Sequence, residues 1–149
     1  MQGREFIKMF LFGVAVCACA STSSPGDPVL TVGGDYPTAV TLVTSTCTGI
    51  TVQSQPTSVS HASGSNTVVL THAGLAYNGT VATTGVFTTT PKAVTAGNDT
   101  HTLTISGQFT TSGFTATVAA AVTGSGNPAC AYSVQWVGTK TGSPNVIPG

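Results

Sequence analysis

Charge is what this sequence has least of: Lys, Arg, Asp and Glu make up 5% of its 149 residues, against roughly a quarter in an ordinary globular chain. Past residue 20 only Lys92, Lys140, Asp27, Asp35 and Asp99 remain. With no basic patch and no aromatics interleaved with cations, nucleic acid is excluded as a partner. No glutamate follows Glu5, and two of the three aspartates flank an N-terminal polar stretch, so a paired-carboxylate site lacks its raw material. Helical periodicity is missing throughout, and no apolar run beyond the N-terminus approaches the roughly 18 residues of a spanning helix. The shortage of charge is not a mark of disorder, because 40% of the residues are apolar and disorder needs the opposite balance. Ser, Gly and above all Thr fill the place of charge. A hydroxyl solvates a surface without ionising, and threonine's β-branch suits the exposed face of a strand.

The N-terminus reads as a processing signal. Met1 to Lys8 is weakly positive, and Met9 to Ala18 (MFLFGVAVCA) has the length of a signal-peptide core. Val16-Cys17-Ala18-Cys19 resembles a bacterial lipobox, with an aliphatic residue three before Cys19 and a small one just before it. On this reading residues 1–18 are removed and Cys19 carries the lipid, which gives a membrane partner through an N-terminal anchor. Residues 19–34, with ASTSSPGDP from Ala20 to Pro28, are then a flexible polar tether. The alternative is cleavage after Ala20 at an Ala-x-Ala site, releasing a soluble exported protein that begins at Ser21. A Cys-x-Cys metal or redox pair fits poorly, since no second Cys/His pair stands at ligand spacing.

Beyond the tether the pattern is alternation. In "HTLTISGQFTTSGFTATVAAAV" (His101 to Val122) Leu103, Ile105 and Phe109 share one parity. The phase flips at Thr111-Ser112-Gly113, after which Phe114, Ala116, Val118, Ala120 and Val122 are apolar. That is a hairpin with one oily and one hydroxyl-rich face. Cys130, Tyr132, Val134 and Trp136 repeat the alternation in a last strand. Shorter strands are expected at Tyr36 to Thr46, Ile50 to Gln55, Thr67 to His72, Leu75 to Ala82 and Val86 to Thr90. Asn78-Gly79 is a turn signal, but parity runs straight through it, and Thr83-Thr84-Gly85 makes the better turn.

About eight antiparallel strands in an up-and-down meander, all-β, should close on themselves to hide their edges. The barrel domain is expected over 35–141, with a C-terminal tail over 142–149. Cys47 ends the first strand and Cys130 begins the last, and in a closed barrel those strands are antiparallel neighbours. An exported location favours oxidation, so a Cys47–Cys130 disulfide should pin the seam. In an immunoglobulin-like sandwich the tryptophan would fall between the cysteines, whereas Trp136 follows both.

From "SGQFTTSGFTATV" through "CAYSVQWVGTK" the chain resembles a group of small Thr/Gly-rich β-barrel envelope lipoproteins of bacteria. These pair an early cysteine with a late one and end on Trp-x-Gly-x-Lys/Arg, here Trp136-Val137-Gly138-Thr139-Lys140. The resemblance implies a barrel and an exported location, and it implies no activity. In shape alone the domain is also similar to lipocalins and avidins. Their Gly-x-Trp in the first strand and their several tryptophans are missing here, so no ligand transfers from them.

No catalytic, cofactor-binding or metal-binding residue is assigned, and no cofactor is expected. The three histidines, His61, His72 and His101, lack ligand spacing. His72 shares the parity of Val68 and Leu70 and should point inward, while His61 and His101 read as close to loops. There is no Gly-x-Ser-x-Gly elbow, and "TVGGD" (Thr31 to Asp35) lacks the lysine and helix of a phosphate loop. Asn78 and Asn98 begin glycosylation patterns that a bacterial lipoprotein would leave unmodified. Tyr77, Phe87, Phe109, Phe114, Tyr132 and Trp136 either interlock or line a void. The expectation is a filled core and a non-enzymatic surface or scaffold module for a protein or envelope polymer. The alternative is a carrier of a small apolar ligand in the barrel.

Overall fold

Threonine-faced alternation becomes strand wherever both faces are served. Phe114, Ala116, Val118, Ala120 and Val122 are buried along one strand while Thr115, Thr117, Ala119 and Ala121 between them are exposed. The computed structural model describes residues 26–125 and 128–149. The expected signal peptide over 1–18 and the expected lipid site Cys19 lie outside these residues. The strands are β1 Gly34–Tyr36, β2 Thr38–Ser45, β3 Thr57–Ser60, β4 Thr67–His72, β5 Leu75–Val81, β6 Val86–Thr89, β7 Lys92–Ala96, β8 Asp99–Thr110, β9 Gly113–Gly124 and β10 Cys130–Thr139. No helix occurs among the described residues.

The strands run β1-β3-β4-β5-β6-β8-β9-β10-β2, all antiparallel, with β7 on β8 beyond β6. Because β1 and β2 are one stretch of chain broken at Pro37, the two ends of this order meet and the sheet becomes a nearly closed barrel. Pro91 breaks β6 from β7 in the same way, so ten strands fill eight positions. Proline removes a ladder donor and lets each strand change partner. A buried threonine repairs each break. Thr38 Oγ1 donates to the Tyr36 carbonyl at 2.8 Å, and Thr89 Oγ1 accepts the Ile105 N–H at 2.9 Å. Each bond spares the roughly 1–3 kcal/mol cost of an unpaired buried group.

The seam joins β2 to β10, with Trp136 opposite Val40 and a bulge that turns Val43 outward. Cys47 and Cys130 are disulfide-bonded at its end, their Cα atoms 5.2 Å apart. The hairpin of β8 and β9 turns at residues 111–112, and the chain runs straight through Asn78-Gly79 to turn before Gly85.

Several expectations are corrected. Ile50 to Gln55 forms no strand; β3 lies farther on, at Thr57–Ser60. Two apolar residues in alternation are satisfied here by folding Ile50 and Val52 across the end of the barrel. Lys92–Ala96, outside every expected strand, is a strand ended by a turn at Gly97 (φ 61°). The tether expected over 19–34 enters the fold by residue 30, since Leu30 and Val32 are buried. The tail expected over 142–149 is also part of the barrel: Thr31 and Val146 exchange backbone hydrogen bonds, and Asn145 is buried.

These two segments plug one end. Beneath them Tyr36, Phe87, Phe109 and Phe114 pack ring on ring, with Phe87 and Phe109 centroids 4.7 Å apart and Tyr36 and Phe114 5.3 Å apart. Such tilted and edge-on pairs add to the burial of the rings themselves. Gly138 makes this possible, because a Cβ there would collide with the edge of the Phe114 ring. Tyr36 Oη lies 2.6 Å from the Val32 carbonyl and 2.7 Å from Asn145 Oδ1, and burial pushes its phenol up to about 12. Lys140 covers the same ring, its Nζ 5.0 Å from the centroid and donating to the Gly33 carbonyl. The Trp-x-Gly-x-Lys ending is thus three consecutive inward positions, each with a packing task.

Candidate functional site

The opposite end is built differently. β2, β8, β9 and β10 continue past the short strands β3 to β6 and leave a curved wall without a matching half. Residues 46–56 cross in front of it. The disulfide fixes one end of this crossing and Ser54 Oγ, accepting the Val40 N–H at 3.0 Å, holds the other. Between wall and crossing lies a cavity of about 410 Å³, within the range of small-molecule pockets.

Its floor is the β4–β5 hairpin and β10. The His72 ring stacks on Trp136 with centroids 4.1 Å apart and planes at 29°, and Tyr77 meets the same indole edge-on at 6.3 Å. Leu103, Val118 and Val134 supply apolar walls, and Ile50 to Gln53 form the rim. The hairpin turns through Ala73 and Gly74, both at positive φ (49° and 77°), the geometry of a tight two-residue connection. Among the described residues no Asp, Glu, Lys or Arg lines this space.

The polar groups are few and convergent. His72 Nδ1 lies 2.9 Å from Thr57 Oγ1, which lies 2.9 Å from Thr38 Oγ1, the hydroxyl bonded to the Tyr36 carbonyl. His101 Nδ1 lies 3.1 Å from Tyr132 Oη. Burial holds the His72 imidazole below its ordinary value and pushes the Tyr77 and Tyr132 phenols up, the Tyr132 phenol adding to the rise at Tyr77. The floor is therefore uncharged at neutral pH.

Three polar atoms stand out. Among the described residues none hydrogen-bonds His72 Nε2, Tyr77 Oη or Trp136 Nε1, although these three residues are only 8%, 4% and 4% exposed. No fully buried side-chain polar atom of the described residues lacks a partner. The little accessible area these residues keep therefore includes those atoms, and all three residues line the cavity.

A larger recess of about 600 Å³ lies on the outer face of β2, β8, β9 and β10, among Thr44, Thr102, Thr104, Ala119, Ala121 and Ser133. Volume alone would favour it. Apart from Tyr132, Pro91 and the buried Ala120 its lining is Thr, Ser and Ala, with no buried polar group among them, so the cavity at the barrel end is the better candidate.

Cys47 and Cys130 are bonded at the start of the crossing, and His72 is buried and lines the cavity. His101 is corrected: it lies within β8 and lines the cavity with His72. His61 is elsewhere, at the plugged end, its Nδ1 accepting from the Val32 N–H at 3.4 Å and its Nε2 donating to the Ser65 carbonyl at 2.9 Å. No group of three or more His, Cys, Asp or Glu side chains converges among the described residues. The role of Thr57 and Thr38 was missed, though the shared inward parity of threonines near His72 was a usable signal. No protein family, no curated sequence and no solved structure matches the chain.

Proposed function

We propose that this protein is a non-enzymatic binding protein of the bacterial cell envelope that holds a small, uncharged, largely apolar molecule in the open end of its barrel. One observation carries the reading: a cavity of about 410 Å³ stands over the stacked His72 and Trp136 rings and Tyr77, and no charged side chain of the described residues lines it. A barrel that only filled its core would leave no such space, because a void forfeits the contacts that packing would make there. The packed rings at the plugged end support the filled-core reading for that half alone, so the carrier is preferred to a surface module.

Export and anchoring are part of the proposal. The disulfide suits an oxidising compartment, and the lipobox-like run ending at Cys19 would add a lipid. Because the chain enters the barrel at the plugged end by Leu30, an anchor at Cys19 turns that end toward the membrane and the cavity away from it. Native mass spectrometry of protein purified from its source tests both claims. A lipidated mass carrying a further small molecule is the expected result. A chain beginning at Ser21 removes the anchor, and a protein that neither carries a molecule nor shows saturable Trp136 quenching with apolar compounds removes the carrier.

A further inference from the structure

Resting on that carrier reading, we propose that the ligand carries a neutral carbonyl oxygen, which accepts a hydrogen bond from the Trp136 indole N–H at the floor of the cavity. Trp136 is 4% exposed and lines that cavity. Among the described residues its Nε1 has no acceptor, yet no fully buried side-chain polar atom is left without a partner. The nitrogen therefore keeps accessible surface while nearly all of its ring is covered. His72 stacks on the indole at 4.1 Å and Tyr77 meets it edge-on at 6.3 Å, so the ring is not free to swing toward an acceptor elsewhere. Of the three polar atoms without a partner on this floor, Nε1 alone has a fixed direction. An indole nitrogen donates and never accepts, whereas a phenol or a neutral imidazole does either. An unanswered donor so placed costs free energy that an incoming acceptor recovers.

The space selects among acceptors. A carboxylate or a phosphate would leave water and meet no cation, since no Lys or Arg lines the cavity among the described residues. Burial that pushes the Tyr77 and Tyr132 phenols up shows the same aversion to negative charge. A neutral carbonyl oxygen fits, because it offers two lone pairs and brings no proton that needs an acceptor of its own. The Tyr77 hydroxyl, kept protonated by its burial, can donate to the second lone pair. The body of the molecule is apolar, for Val52, Leu103, Val118 and Val134 supply the walls around it. Small apolar ketones, esters and lactones are the class this describes.

The test uses two probes of nearly one shape, 2-acetylnaphthalene and 2-isopropenylnaphthalene, which differ only in C=O against C=CH2. Calorimetric titration measures both on the folded, oxidised parent protein and on Trp136→Phe, so that differences in probe hydrophobicity and in ring size cancel. We expect Trp136→Phe to weaken the ketone about 10-fold more than the alkene, the scale of one hydrogen bond to an otherwise unanswered group. The chain has one tryptophan, so its indole N–H gives a reading without substitution, which decides alone if the variant does not fold. That proton should resonate further downfield with the ketone than with the alkene. Equal weakening of the two probes, or one indole position with both, overturns the acceptor assignment and leaves the carrier reading standing. Failure of both probes to bind the parent protein overturns the two together.

Discussion

The two ends of this barrel are made of the same materials and put them to opposite use. At the plugged end Tyr36, Phe87, Phe109 and Phe114 touch one another, and the one phenol among them is held by Val32 and Asn145. At the open end Trp136, Tyr77, Tyr132, His72 and His101 are also adjacent, yet together they line a cavity. Ring content does not separate the ends. What separates them is what lies above the rings. Chain segments far apart in sequence seal one end with backbone hydrogen bonds and apolar side chains, whereas a short crossing pinned at the disulfide leaves a pocket at the other. A barrel interior just wide enough for its side chains becomes a site wherever its cover stops short.

The sharpest way to break this contrast is to truncate a ring at each end. Phe109→Ala should cost about 3–5 kcal/mol, as loss of a packed core ring does. Tyr77→Phe should cost well under about 1 kcal/mol, since it removes a hydroxyl that no described residue hydrogen-bonds. Urea unfolding of both variants reads the difference, and equal losses would dissolve the distinction between a structural end and a binding end.

Next in size is the disulfide. It closes a loop spanning 83 positions, and limiting the unfolded chain over that length contributes about 2–4 kcal/mol. Cys47→Ser, Cys130→Ser and the double variant should therefore lose similar amounts of stability by thermal melting. They should also weaken ligand binding, because the crossing over the cavity loses one of its two attachments. Additive losses from the single variants would show that the thiols act separately.

Asn145 tests the plug. Asn145→Ala removes the amide bridging Tyr36 Oη to the Thr110 carbonyl and should cost about 1–3 kcal/mol with ligand affinity unchanged. A matching fall in affinity would mean that the ends are coupled.

The smallest expected effect is on pH dependence. Burial holds the folded His72 imidazole below its ordinary value near 6.5, so on acidification the unfolded chain takes up that proton first. The stability owed to the neutral ring is complete above pH 6.5 and is lost as pH falls from there toward the folded value. His72→Gln should flatten this part of the profile in urea midpoints taken between about pH 8 and pH 5. A slope identical to that of the parent protein would contradict a buried neutral ring.

Much of this was legible in residue order, and the rest was not for definable reasons. The β8–β9 hairpin, the last strand and the passage through Asn78-Gly79 follow from parity, which is local. The disulfide follows from closure, which places the end of the first strand beside the start of the last. The inward turn of His72 was read from its register with Val68 and Leu70. The crossing at Ile50 to Gln55 looked like a strand because Ile50 and Val52 alternate, but whether such residues pair or fold over an open end depends on distant partners. Likewise no local feature marks Leu30, Val32 or Asn145 as a plug, since their burial exists only once the two termini meet. The open cavity is the difference between where the walls end and where the crossing lies, and neither is encoded by nearby residues.

The most direct test of the central claim is a map of backbone amide and indole shifts during titration of the folded protein with 2-naphthol. The account predicts saturable changes at the Trp136 indole and at Val52, His72, Tyr77 and Leu103, with Val32, Phe109 and Phe114 unmoved. Changes centred instead on Thr102, Ala119 and Ala121 of the outer face, or none at saturating probe, would contradict it.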